Sequence, residues 1–142
     1  MISPQPHFVD TCVPIYAAGR AHPYKEPCLS ILAALAEGKI QAVTDVEVIQ
    51  EIVHRFRAIE RQGDGLRLAS DFLGLMHTVL PVAREVAARF LALQQTYPFL
   101  PPRDALHIAA MAEAEVELII SADRHFDRVR EVKRIDPAEA RW

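Results

Sequence analysis

The chain has 142 residues, of which 51% are hydrophobic and 25% charged, and its formal net charge is −3. A globular chain of this length buries roughly 70% of its unfolded surface, so it needs no disulfide or structural metal, and the composition excludes a disordered or fibrous protein. No apolar run approaches the roughly 18 residues that cross a bilayer, and no signal peptide is apparent. Cys12 and Cys28 lack metal-site spacing and lie in apolar stretches, which favours buried thiols. We expect a single domain over residues 1–142, no membrane association and a cytoplasmic location.

The chain alternates short apolar strands with longer helical patterns. Strands are predicted over residues 7–10, 40–43, 78–82, 117–121 and 132–135, after a short leader over residues 1–6. Prolines fit the first turn of a helix and glycines often follow the last. These signals predict a helical turn after residue 10, a helix that starts near Pro23 and Pro27 and stops at Gly38, and helices over 44–62, 66–76, 84–96 and 103–112. This alternation predicts a mostly parallel sheet covered on both faces, which is a three-layer α/β/α domain.

The helix over residues 44–62 has the clearest pattern. Thr44-Asp45-Val46-Glu47 has the form of a capping box at its start, and Gly63-Asp64-Gly65 is expected to break it. Apolar residues at three- and four-residue intervals predict a stripe that faces the core: Val46, Ile49, Ile52, Val53 and Phe56. That assignment puts Glu47 and Glu51 on the solvated side, with Arg55 one turn beyond Glu51. Periodicity alone gives Glu51 no special role.

Carboxylates recur where predicted elements begin or end. The carboxyl ends of parallel strands form the crevice where ligands bind, so Asp10, at the end of the first strand, is a functional candidate. Asp104 lies in the first turn of a helix, where the dipole favours an ionised ligand but plain capping is an alternative. Asp123 follows a buried strand and Asp127 comes shortly after it. His107, one turn beyond Asp104, is expected to be a packed or hydrogen-bonded side chain.

Residues 124–134 form a basic run with a local charge of +3, carried by Arg124, Arg128, Arg130, Lys133 and Arg134 against two acids. One interpretation is a solvated surface segment, and the run by itself favours it. The other is that these cations contact the phosphates of a nucleic acid.

Four segments resemble the acidic motifs of the PIN domain family, in order and at the expected separations. They are Phe8-Val9-Asp10-Thr11, Val48-Ile49-Gln50-Glu51, Arg103-Asp104-Ala105-Leu106-His107 and Ile120-Ser121-Ala122-Asp123-Arg124-His125-Phe126-Asp127. The length is similar to that of the VapC-like toxins of prokaryotic toxin–antitoxin pairs. The resemblance implies a metal-dependent ribonuclease that is a homodimer and is inhibited by a small antitoxin. A housekeeping RNA-processing nuclease and a non-catalytic PIN module that binds RNA or protein are the alternatives.

The resemblance also implies the site. It selects Glu51 over Glu47 and makes Asp10, Glu51, Asp104 and Asp123 the catalytic metal ligands. Carboxylates crowded into one crevice need a hard divalent cation, which means Mg²⁺ or Mn²⁺. Supporting roles are expected at four further positions: Asp127 for a second ion or a water, Thr11 and Ser121 for orienting ligands or substrate, and Arg124 for a phosphate.

One position departs from the family pattern. Cys12 stands where the family usually has an asparagine, two residues after the first aspartate. A thiol is a weak hydrogen-bond donor, so Asp10 is expected to be less well preorganised than with an amide. Cys12 also argues against a phosphatase of the HAD class, whose chemistry needs a second aspartate at this position.

Overall fold

The structure is a computed structural model that describes residues 5–142, so most of the predicted leader lies outside the described residues. Five strands are present: β1 (His7–Val9), β2 (Ala42–Asp45), β3 (Thr78–Leu80), β4 (Leu118–Ile120) and β5 (Lys133–Ile135). Six α-helices flank them: α1 (Cys12–Ala18), α2 (Lys25–Ala36), α3 (Val46–Ala58), α4 (Gln62–Leu75), α5 (Arg84–Thr96) and α6 (Pro102–Glu113). A short 3₁₀ helix covers Arg124–Arg128. Within residues 5–142 no helix is long and apolar enough to cross a membrane.

The strands form one sheet in the order β3-β2-β1-β4-β5, and every neighbouring pair is parallel. The predicted fold class is therefore confirmed. The chain moves outward from β1 through β2 to β3 and then returns to the other side of β1 with β4. Strand order thus reverses between β1 and β4, and in an open parallel sheet the crevice beyond such a reversal is where ligands bind.

The core lies between the sheet and the helices. Phe8 and Val9 of β1 and Ile119 and Ile120 of β4 are fully buried, as expected for central parallel strands covered on both faces. Helices pack in sequential pairs, α1 with α2, α3 with α4 and α5 with α6. Burying each of the large aliphatic side chains in this core contributes about 1.5–3 kcal/mol to stability. The central strands are thereby held firmly, and so are the residues that follow them.

The junctions around α3 differ from the prediction. Strand β2 continues through Asp45, so Asp45 rather than Thr44 caps α3, and its Oδ1 accepts a hydrogen bond from the Val48 amide at 3.0 Å. The predicted break at Gly63-Asp64-Gly65 is also wrong, because these residues form the first turns of α4. A Cβ at Gly65 would lie 2.5 Å from the Phe56 Cβ. This glycine therefore permits the close approach of α3 and α4 instead of ending a helix.

The predicted orientation of α3 is wrong at Glu51, the acid that the family resemblance selects. Val46, assigned to the core stripe, is 60% exposed, whereas Glu51, assigned to solvent, is 4% exposed. Ile52 is fully buried, as predicted, and Ile49, Val53 and Phe56 are half-buried. The buried face includes Glu51 because α3 borders a polar cavity as well as the apolar core.

Candidate active site

The predicted acids converge at the carboxyl edge of the sheet. A cavity of about 330 Å³ opens there, and Asp10, Glu51, Asp104 and Asp123 all line it, together with Thr11. Asp10 follows β1 and Asp123 follows β4, the two strands between which strand order reverses. Glu51 enters from α3 and Asp104 from the first turn of α6. Four segments that are distant in sequence thus direct carboxylates into one space.

Asp10 is held by hydrogen bonds to both of its carboxylate oxygens. The Thr11 amide donates to Oδ1 at 2.8 Å, and the Ser121 hydroxyl donates to Oδ2 at 2.6 Å. The Asp123 amide in turn donates to the Ser121 oxygen at 3.1 Å. Burial raises the pKa of Asp10, an effect that the charge of His107 and the Ser121 hydrogen bond oppose. The first and fourth acidic segments are therefore joined through one buried hydroxyl.

Asp104, Asp123 and His125 form a second part of the cavity. Ligand atoms of these three side chains lie within 4.8 Å of one another, and His125 Nε2 is 2.8 Å from Asp104 Oδ2. Burial, and after it the negative charge of Asp10, raises the pKa of Asp104 to about 6. Asp123 itself is exposed at the cavity rim. An ionised Asp104 is therefore costly here unless a cation lies nearby.

A buried pair of side chains supports this part of the cavity. His107 and Asp45 are both fully buried, and Nδ1 of His107 is 2.7 Å from Asp45 Oδ2. A ring nitrogen of His107 also lies within 4.8 Å of carboxylate oxygens of Asp10 and Asp104. Burial by itself lowers the pKa of His107, but the hydrogen bond and charge of Asp45, together with the charges of Asp10 and Asp104, outweigh burial, and the net shift is upward. His107 is thus the packed, hydrogen-bonded residue that the sequence predicted, placed beneath two of the acids.

Glu51 has a different environment, because two arginines contact it. Arg55 donates to Glu51 Oε1 from Nε at 3.2 Å and from its terminal nitrogen at 3.0 Å, and Arg103 donates to the same oxygen. Both arginines also line the cavity. The buried Glu51 charge is therefore compensated by cations of the chain itself.

Cys12 is part of the connection between the two central segments. Its Sγ accepts a hydrogen bond from the Ala122 amide at 3.5 Å and lies 3.8 Å from the Ser121 hydroxyl oxygen. Burial raises the pKa of this thiol well above its usual value, so it is neutral at physiological pH. The sulfur thus contacts the serine that holds Asp10, and Asp10 keeps two hydrogen bonds without the family's usual asparagine.

Two predicted residues are not brought into the cavity. Asp127 is exposed, and Nε and a terminal nitrogen of Arg134 donate to its two oxygens at 2.9 and 3.1 Å. Arg124 is exposed on the 3₁₀ helix and does not line the cavity. Of the other expected residues, Thr11 lines the cavity with a buried hydroxyl that has no hydrogen-bond partner in residues 5–142. Ser121 lies behind Asp10.

Two residues of the basic run, Arg134 and Arg128, make contacts within the protein. Arg134 also donates to Asp136 and to the Ser121 carbonyl, so its guanidinium fixes the segment after β4. Arg128 lies 3.9 Å from the centroid of the Phe99 ring. None of the five basic residues lines the cavity that the described residues form.

Sequence reasoning placed Arg55 one turn beyond Glu51 but did not predict that it lines the cavity, and it missed the contributions of Arg103 and His125. Arg55 lies four residues after Glu51, and this spacing is the signal for an ion pair on one helix face. Arg103 directly precedes Asp104, but no spacing rule connects it with Glu51, which is 52 positions away. His125 approaches Asp104 across the cavity, and such contacts depend on the fold alone.

Comparison with known proteins agrees with this geometry. The sequence profile of the PIN domain matches residues 7–132. Ribonuclease VapC13 of Mycobacterium tuberculosis is 38% identical over 128 residues, which cover 89% of this chain and 97% of that protein. Ribonuclease VapC7 of the same organism is 34% identical over 133 residues, covering 93% of this chain and 92% of that protein. The structure of VapBC2 from Rickettsia felis bound to a promoter DNA fragment has a similar fold, with a TM-score of 0.72, 12% identity and coverage of 95% of this chain and 98% of that one.

Proposed function

Because the chain belongs to the PIN domain family, we propose that it is a VapC-type ribonuclease that hydrolyses RNA phosphodiester bonds with the help of Mg²⁺ or Mn²⁺. The observation that carries this proposal is the convergence of Asp10, Glu51, Asp104 and Asp123 in one cavity. The relatives named as VapC ribonucleases align over most of their length with this chain, which supports the same reaction here.

The donor set of the cavity fits a hard divalent cation. Asp10, Asp104 and Asp123 would hold it through carboxylate oxygens, and Oε2 of Glu51 accepts no hydrogen bond from residues 5–142. The raised pKa values of Asp10 and Asp104 fit the same assignment, because a cation would restore their ionised forms. Oxygen donors of this kind favour Mg²⁺ or Mn²⁺ over softer metals. When bound, such a cation lowers the pKa of a water and stabilises negative charge on phosphoryl oxygens.

The chain's own residues provide the remaining requirements of hydrolysis. Ser121 and the Thr11 amide keep Asp10 in one orientation, so its carboxylate does not have to reorganise during the reaction. His125, whose Nε2 lies 2.8 Å from Asp104 Oδ2, is the candidate proton carrier beside the acids. Asp127 is left out of this assignment, since both of its oxygens are engaged by Arg134.

Partners follow from the same family membership. The VapC relatives are named as ribonucleases, and the similar fold from Rickettsia felis was determined as a VapBC assembly. We assign this chain a small antitoxin that would block the acidic cavity, and a homodimeric toxin as the functional unit. The proposed RNA substrate and the two free thiols support a cytoplasmic location for this activity.

The test is RNA cleavage by the purified protein. Single-stranded or looped RNA should be cleaved with Mg²⁺ or Mn²⁺, and EDTA should abolish cleavage until the cation is restored. Cleavage that persists after thorough chelation would overturn the metal requirement. A protein that binds RNA but does not cut it with either cation would instead be a non-catalytic PIN module.

A further inference from the structure

The contacts of Glu51 are unequally divided between its two oxygens. Oε1 accepts all three N–H groups that reach this carboxylate, two from Arg55 and one from Arg103. Oε2 accepts no hydrogen bond in the described part of the chain. One oxygen therefore orients two guanidinium groups while the other stays free to face the cavity.

The two guanidinium groups are more accessible than the acid that holds them. The side chain of Glu51 is 5% exposed, whereas those of Arg55 and Arg103 are 52% and 40% exposed. A guanidinium has five N–H donors, and here Arg55 uses two and Arg103 one for protein contacts within residues 5–142. Most donors of this pair thus remain available to a ligand in the cavity.

We infer that Arg55 and Arg103, held side by side by Glu51, form a clamp for a backbone phosphate of the RNA substrate. The planar fork of a guanidinium matches two phosphate oxygens, and charge-assisted bonds of this type are the stronger ones. Glu51 prevents the two cations from moving apart, so little side-chain freedom is lost when the phosphate enters. This clamp rests on the proposed ribonuclease function and adds the substrate group that the cavity recognises.

The alternative phosphate contacts are less suitable. Arg134 is engaged by Asp127, Asp136 and the Ser121 carbonyl, and its side chain is only 9% exposed. Arg128 lies against the Phe99 ring. Of the basic side chains in residues 5–142, only Arg55, Arg103 and His125 line the acidic cavity, so the clamp lies where a phosphate beside the acids would have to bind.

The salt dependence of RNA binding tests the clamp. The affinity of the full-length Asp10→Asn protein for a short labelled single-stranded RNA is measured by fluorescence anisotropy over a range of KCl concentrations in EDTA. Each phosphate contact contributes about −0.7 to the log–log slope for single strands, which is about fivefold in affinity per tenfold change in salt. Arg55→Gln and Arg103→Gln should each flatten the slope by about 0.7. The matched control Arg130→Gln removes the same charge from the exposed basic run and should leave the slope unchanged.

Two further measurements keep the result interpretable. If Arg103→Gln does not fold by circular dichroism, the double variant Arg103→Gln, Glu51→Gln removes the uncompensated buried charge, and its slope is compared with that of Glu51→Gln alone. Unchanged slopes for both arginines, or an equal flattening for Arg130→Gln, would overturn the clamp. Cleavage by the parent protein with Mg²⁺ is measured separately. If the parent cleaves RNA but the salt-dependence slopes of both arginine variants are unchanged, only the clamp is rejected. If the parent does not cleave RNA, the ribonuclease function itself is rejected.

Discussion

The two sides of the cavity handle buried negative charge in different ways. On the α3 side, Glu51 is nearly fully buried and two arginines contact one of its oxygens. On the side of β1 and α6, Asp10 and Asp104 have hydroxyl, amide and imidazole neighbours, and burial raises both of their pKa values. One side is neutralised by the chain itself, and the other is left with charge that the chain only partly offsets.

This difference indicates different roles for the buried carboxylates on the two sides. A buried carboxylate with cationic partners is stable in the free protein, whereas carboxylates without them favour protonation or a bound cation. Asp10 and Asp104 are therefore the groups whose state should change most when a metal is added or removed. Glu51 should keep its contacts with Arg55 and Arg103 in both states.

Asp104→Asn should show the largest effect and the sharpest contrast with the Glu51 side. Loss of a ligand worth about 3 kcal/mol lowers cleavage by about a hundredfold or more. Without metal, the same variant should be more stable than the parent at pH 7.5. The pKa of Asp104 is raised to about 6 in the folded protein, whereas it is about 4 in the unfolded chain. The unfolded state therefore loses this proton first, and the parent's stability falls as pH rises from about 4 to about 6. The free energy of unfolding of Asp104→Asn should exceed that of the parent by at most about 3 kcal/mol above pH 7, and this difference should vanish below pH 4.

Denaturant unfolding in EDTA at several pH values measures this gain. Asp123→Asn is the matched control, because Asp123 is exposed and the same substitution there should change stability little at any pH. If Asp104→Asn were equally destabilising at pH 5 and pH 7.5, Asp104 would be a structural cap and the contrast between the two sides would not hold.

Glu51→Gln and Glu47→Gln test the Glu51 side. Both substitutions lie on α3, but Glu51 lines the acidic cavity and Glu47 lines a separate groove beside β3. Glu51→Gln removes a ligand and loosens both arginines, so cleavage should fall by at least about tenfold, or ~1.4 kcal/mol. Glu47→Gln should cleave like the parent. Initial rates at saturating Mg²⁺ measure the difference, and the reverse ranking would mean that α3 is turned relative to its position here.

Asp127→Asn should have the smallest effect. Asp127 was expected from sequence to hold a second ion or a water, but the structure engages it with Arg134 outside the cavity. The variant should therefore cleave RNA at nearly the parental rate, while Asp123→Asn, four residues earlier, should lose at least about tenfold. Equal losses of cleavage in the two variants would mean that Asp127 is part of the metal site after all.

Much of the fold could be predicted from local pattern. The observed bounds of α5 agree with the predicted ones at both ends. The five strands occur in the predicted order, and their bounds differ from the predicted ones by only a few residues. The failures occur where a non-local neighbour decides. Sequence alone suggests that Gly65 breaks a helix, but in the fold Gly65 lies inside α4 and packs against Phe56. Asp45 caps α3 because β2 pairs with β3 through that residue.

The sequence by itself determined the alternation of strands and helices and, through four family motifs, which acids belong together. Apolar periodicity and motif spacing are local properties, so a single chain displays them without its partners in space. Only the tertiary structure decided that Glu51 is buried, that Arg103 reaches it across 52 positions, and that Asp127 belongs to Arg134 instead of the cavity. The energy of a buried charge depends on groups that folding brings within a few ångströms, and their distance along the sequence does not reveal them.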